Sequence, residues 1–224
     1  MMTKGMGIAL LSAAALLGGA AAQAGELPWT YGEVGYTKAP GTEDFDTDAY
    51  DLKGSIGFLD KWHSSLQYTE GTTDFDSSSD DDFDGWRLVV GAHPQLTPDT
   101  QLVTEISYFD YNYDGGEGSD GGADGFGLGL GLRHSLSDKA ELSALATYTQ
   151  ANFDDSGFGS SGNTDVYSTV VEVGGRYNWM PNLSTGLTVS LGGGGAGAGL
   201  ESSFLGGNLA RFDVRWSFLG DVSK

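Results

Sequence analysis

Three stretches of this chain carry carboxylates at the spacing a hard cation uses. Asp44-Phe-Asp46-Thr-Asp48, Asp80-Asp-Asp82-Phe-Asp84-Gly85 and Asp110-Tyr-Asn112-Tyr-Asp114-Gly115 share an Asp-x-Asp/Asn-x-Asp pattern. The last two place glycine sixth, as the start of a calcium loop does. Their twelfth positions are Gly91 and Gly121 rather than glutamate, so neither is an EF-hand. Two expectations stand: solvated acidic loops, or weak sites for Ca²⁺ or Mg²⁺ built from Asp44, Asp46, Asp48, Asp80, Asp82, Asp84, Asp110, Asn112 and Asp114. Oxygen donors with no histidine nearby favour a hard cation over a transition metal.

Other reactive types are scarce. With no cysteine, disulfides, thiolate metal sites and thiol nucleophiles are excluded. The three histidines, His63, His93 and His134, fall at strand ends that the topology below puts at the short turns. General acid–base work needs a group within hydrogen-bond reach of the reacting atom. With no His or Cys at the opposite rim, the expectation is a protein without catalysis, a rim hydrolase being the remote alternative. The run Gly192-Gly-Gly-Gly-Ala-Gly-Ala-Gly199 lacks the Lys-Ser/Thr that ends a phosphate cradle.

The other charged set is defined by alternation. In Leu209-Ala-Arg-Phe-Asp-Val-Arg-Trp-Ser-Phe218, one face of a strand would carry Ala210, Phe212, Val214, Trp216 and Phe218, the other Arg211, Asp213, Arg215 and Ser217. Apolar outside and polar inside is the pattern of a transmembrane β-barrel strand. Ten period-2 stretches bounded by turn residues repeat it, near 29–37, 48–59, 62–73, 84–93, 101–112, 124–136, 140–151, 166–179, 183–193 and 209–218. Short connections (60–61, 94–100, 137–139, 181–182) alternate with long ones (39–47, 74–83, 113–123, 152–165, 194–208). Outer-membrane barrels sort their connections this way, with short turns in the periplasm and long loops outside. The fold expected is an all-β, antiparallel, up-and-down transmembrane barrel of about ten strands, with eight as the alternative.

In that barrel the inner face holds Asp51, Lys53, Arg87, Glu105, Arg133, Glu172, Arg176, Arg211, Asp213 and Arg215, together with Glu33 and His63. Acid and base nearly balance there. A sealed, charge-paired lumen and a narrow filtering water path both fit. Gly127, Gly129, Gly131, Gly174 and Gly186 would clear room for long side chains. Trp62, Trp179 and Trp216 would mark one membrane interface, and Tyr36, Tyr50, Tyr108 and Tyr167 the other. At Phe109, Tyr111 and Tyr113 the alternation suggests that the parity of the fifth strand shifts at a bulge.

Residues 1–24 read as a secretory signal: Lys4, an apolar run from Ile8 to Ala22, and the small-residue site Ala22-Gln23-Ala24. Residues 25–224 then form one exported barrel domain. The formal charge of −20 argues against nucleic acid, whose phosphates need Lys and Arg. The expected surroundings are outer-membrane lipid and lipopolysaccharide, whose phosphates could share the acidic-loop cations, with the barrel assembly machinery during biogenesis. The chain is expected to be a monomer.

The segment from Phe83-Asp-Gly-Trp-Arg-Leu-Val-Val-Gly91 through Leu102-Val-Thr-Glu-Ile-Ser-Tyr108 resembles small outer-membrane barrels of the porin-like, or sulfation-dependent quorum factor, family. Tyr31-Gly-Glu-Val-Gly-Tyr36, Val173-Gly-Gly-Arg-Tyr177 and Arg211 to Phe218 are similar to it as well, so the resemblance spans the mature chain. It implies a single barrel in the outer membrane and in shed vesicles, without enzymatic chemistry. Leu219 to Lys224 depart from the pattern, because such barrels usually end on the aromatic of the last strand.

Overall fold

The computed structural model describes residues 28–42, 45–75, 80–115, 119–155, 164–192 and 209–218. They form eleven strands: β1 (Tyr31–Thr42), β2 (Phe45–Phe58), β3 (Trp62–Phe75), β4 (Asp80–Ala92), β5 (Gln95–Thr97), β6 (Thr100–Gly115), β7 (Ser119–Ser137), β8 (Ala140–Asp155), β9 (Thr164–Met180), β10 (Leu183–Gly192) and β11 (Leu209–Ser217). Each long strand pairs antiparallel with its sequence neighbour. β1 pairs with β11 and β4 with β6, so ten strands close into a barrel and no long edge is left open. The short β5 lies in the turn between β4 and β6 and pairs only with β6. The fold is the expected ten-stranded barrel.

Alternation governs the wall through the belt. Leu66, Leu88, Ile106, Leu128, Leu130, Val173, Leu187 and Phe212 face outward and are exposed, while their strand neighbours face inward and are buried or half-buried. A soluble protein would hide such a belt, whereas a barrel in lipid must show it. The belt ends in aromatic rings. Tyr36 meets Tyr50, Trp86 meets Tyr108, and Tyr108 meets Phe126, with centroids 5.0–5.3 Å apart, and Tyr148 lies 6.3 Å from Tyr167. Trp62, Trp179 and Trp216 mark the other edge of the belt. Both girdles fall where the alternation puts them.

The strands are longer than expected at the long-loop end. Pairing runs through Asp80–Phe83, Tyr113–Gly115 and Asp120–Ala123, all of which the turn composition assigns to loops. Main-chain ladder bonds continue past the apolar belt because they do not depend on side-chain polarity, and acidic residues can point to water from both faces of a hairpin. At the other end the chain turns sharply. Between β2 and β3, Leu59 and Asp60 both take left-handed conformations, with φ of 50° and 59°. Leu59, Asp60 and Lys61 connect the paired Phe58 and Trp62, and glycine or asparagine takes left-handed positions more easily.

The parity shift expected near Phe109 does not occur. β6 keeps unbroken register with β4 and β7 through Asp114, so Phe109, Tyr111 and Tyr113 all point inward. Phe109 packs with Ala123, Ala151, Phe153, Val166 and Tyr111 into an apolar cluster inside the long-loop end of the barrel. Apolar residues on both faces mimic a register change, but this interior is apolar at one level.

Candidate functional site

The lumen charges converge on three carboxylates. Asp213 and Arg211 share the inner face of β11, Glu33 comes from β1, Asp51 from β2 and Arg176 from β9. Glu33 accepts from Arg176 (3.1 Å), Arg211 (2.9 Å) and Arg215 (2.6 Å). Asp51 takes Arg211 as a bidentate partner at 2.6 and 2.9 Å. Asp213 lies between Arg176 (2.5 Å) and Arg211 (3.1 Å). All three carboxylates are buried, Asp213 to 1 % exposure. Arg215 also lies over the ring of Tyr31, 3.8 Å from its centroid. Buried charges hold in such a web because each is both paired and hydrogen-bonded.

Two glycines make room for the web. A Cβ at Gly35 would come within 2.3 Å of Asp51 and 2.5 Å of Arg211, and one at Gly186 within 2.6 Å of Asp213. Gly186 thus clears space as the alternation suggests, and Gly35 is an addition. Gly85, the sixth residue of an apparent calcium loop, has a different task. Its missing Cβ is the seat of the Tyr111 ring, which would otherwise lie 2.2 Å away.

The remaining inner charges are not all in the web. Arg133 forks onto Glu141 at 2.7 and 2.9 Å, both buried. Glu105 meets His63 at 3.1 Å. Arg87 donates to Ser107 at 3.2 Å, Glu172 accepts, among the described residues, only a long bond from Ser190 (3.5 Å), and Lys53 stands near Glu33 and Glu105. Every predicted lumen residue faces inward, but only Asp51, Arg176, Arg211, Asp213 and Arg215, with Glu33, form one connected group. Glu141 completes the inner set, giving six acidic and six basic residues among the described side chains. Its inward parity is legible from Leu142 beside it, which faces out.

Trp29 shares the inward parity of Tyr31 and Glu33 in the stretch 29–37, although β1 itself begins at Tyr31. It precedes β1 and folds into the short-turn mouth, where its indole N–H donates to Gln101 at 3.1 Å. His63 and His93 stack on it at 4.0 and 4.4 Å, and Arg133 lies 4.4 Å from its centroid. His134 points outward, bonded to Thr100 at 2.9 Å. All three histidines therefore sit at the short-turn end.

The candidate cation ligands lie on the outer wall. Asp48, Asp82, Asp84, Asp110, Asn112 and Asp114 face outward above the aromatic girdle. Asp82 is directly opposite Asp114, Asp84 opposite Asn112 and Glu70, and Asp110 opposite Asp124. Asp48 instead bonds the Tyr36 hydroxyl and lies 3.3 Å from Lys38. In the backbone ladder Asp46 pairs with Asp74 and Asp74 with Asp80, while Asp44 lies outside the described residues. Among the described residues no three carboxylates or imidazoles converge as a ligand set.

A closed ten-strand wall with an outward apolar belt and a buried charged interior decides the class. It is a barrel of the outer-membrane type. No family model matches the sequence, and neither does any curated protein. Solved structures do. The translocator domain of the autotransporter NalP from Neisseria meningitidis is similar at TM-score 0.50 and 10% identity, over 83% of this chain and 85% of that one. The β domain of the Bordetella autotransporter BrkA gives 0.45 at 13% identity, over 86% and 100%. A KdgM porin gives 0.42 at 11%, over 83% and 98%. At these identities the likeness is one of fold alone.

Proposed function

We propose that this chain is an integral outer-membrane barrel of structural or interaction type, porin-like in architecture, whose charge-paired lumen passes no steady current at neutral pH. The web of Glu33, Asp51 and Asp213 with Arg176, Arg211 and Arg215 carries this reading. It fills one side of the lumen with side chains that water barely reaches. Truncating a pair so tightly bonded would leave an uncompensated buried charge, which is the signature of a structural filling. The apolar cluster around Phe109 narrows the long-loop end and Trp29 occupies the other. The test is planar-bilayer recording of the purified, folded protein at neutral pH. The expected trace is flat, and long-lived openings of porin size would sink the proposal.

A small-solute or cation channel is the second reading. It is favoured by Lys53, Gln67, Arg87 and Glu172, which line the lumen outside the web and are only part-buried. The reading adopted is non-enzymatic, with the short turns in the periplasm and outer-membrane lipid around the belt. The outward carboxylates stand directly above the aromatic girdle, at headgroup height. Asp84, Asp110 and Asp124 there would gather Ca²⁺ or Mg²⁺ shared with lipopolysaccharide phosphates, since carboxylates opposite one another across strands repel unless bridged. Membership of the quorum-factor family, a cleaved signal at residues 1–24, a monomeric state and release in vesicles belong to the same proposal.

A further inference from the structure

Trp29 does something the lumen charges do not explain. β7 stands across the barrel from β1, yet Trp29, two residues ahead of β1, touches Arg133 of β7 and bonds Gln101 of β6. Its anchorage is local and slight. The Thr30 hydroxyl accepts from Gly57 N–H (3.0 Å), and the Thr30 carbonyl accepts from Phe218 N–H (3.0 Å). A Cβ at Gly57 would meet that of Trp29 at 3.0 Å, so this glycine lets the segment tuck in. The seat itself is made of two imidazoles.

We propose that Trp29 is a stopper in the short-turn mouth, seated on His63 and His93, and that acidification unseats it. The two rings lie 5.5 Å apart against one indole. His63 comes from β3 and leans on Glu105 of β6. His93 comes from the turn after β4, its Nε2 beside the Trp62 carbonyl at 3.3 Å. Arg133 of β7, held by Glu141 of β8, faces the same indole, and Lys53 of β2 and Arg87 of β4 stand near Glu105. A proton added to His93 would therefore join a site that already holds Arg133 and a second imidazole, with the nearby carboxylates engaged, Glu105 by His63 and Glu141 by Arg133.

Burial, then His63, then Arg133 hold the His93 imidazole well below its usual 6.5, at about 4. An imidazolium is attracted to an indole face, but here Arg133 already uses that indole. Once Trp29 swings out, water reaches His93, which then takes a proton at its ordinary value. The unseated form binds the extra proton and the seated form does not. The unseated-to-seated ratio thus grows by up to about tenfold per pH unit as pH falls from the ordinary value to the depressed one, and levels off below it.

The test reads Trp29 itself, in folded protein embedded in lipid. Acrylamide quenching of the wild type minus that of Trp29→Phe isolates this indole from the other four tryptophans. The difference signal should be shielded at pH 7.5 and quenched at pH 4, with β-sheet circular dichroism unchanged. His93→Gln should stay shielded at pH 4. Shielding of the wild type at pH 4, an unaltered response in His93→Gln, or quenching only together with loss of the β-sheet signal would each overturn the stopper. None of these readouts depends on current through the lumen, so failure of the sealed-lumen proposal would show separately in the bilayer recordings.

Discussion

At the residue scale, two inward acids that look alike along the sequence have different surroundings. Asp213 is enclosed by two guanidiniums, whereas Glu172 has, among the described residues, only a long hydroxyl bond. Asp213→Ala should lower unfolding stability by about 3–5 kcal/mol, because two buried cations lose a shared partner. Glu172→Ala should cost about 1 kcal/mol or less, the worth of one ordinary hydrogen bond. Denaturant unfolding in lipid vesicles, followed by tryptophan emission, checks both; equal losses would refute the distinction. Gly35→Ala should resemble Asp213→Ala, since its new methyl would displace the Asp51–Arg211 fork.

The elements add what single residues do not show. The hairpins continue above the membrane belt, and their register brings carboxylates of separate motifs face to face, as with Asp82 and Asp114. With the short turns in the periplasm, a tag inserted at Gly118 or Ser160 should bind antibody on intact cells, and one after Asp138 should not. Labelling after Asp138 would invert the orientation. The β2–β3 turn offers a separate check. Leu59 and Asp60 hold left-handed backbones at roughly 1–2 kcal/mol each. Replacing them by Asn-Gly should raise the unfolding midpoint, with a gain of about 1 kcal/mol or more. No gain would mean that the native side chains repay that strain elsewhere.

For the whole molecule, charge is sorted by place. The lumen balances six acids against six bases, while the outer wall above the girdle is acidic, with Lys38 bonded to Asp48 as its one basic residue among the described side chains. Such crowding repels itself and is relieved by cations. Ca²⁺ should therefore raise the melting temperature in low salt more than Na⁺ at equal ionic strength. Changing Asp80, Asp82 and Asp84 together to Asn should shrink that excess. Identical responses to the two ions would leave the wall merely solvated.

How much of this was legible in the chain follows from what alternation encodes. Side chains of a strand switch faces at every residue, so alternation was enough to read the ten strands, the closed barrel, the lipid-facing belt, both girdles and the inward direction of every predicted lumen charge. It could not determine which inward charges meet. That depends on register and on the span of the lumen, which join Glu33 to Arg176, 143 residues away in the chain. It mistook Tyr111 for a sign of changed parity because an apolar plug inside a barrel and a bulged strand leave the same trace in one strand. It also read Gly85 as part of a cation loop, when a neighbouring strand's ring needs that space. Alternation over 29–37 gives Trp29 the inward parity of Tyr31 and Glu33 but says nothing of what it meets. Only the closing of the wall around it decided that an indole beside β1 would rest against the imidazoles of His63 and His93 and reach Arg133 on the far side.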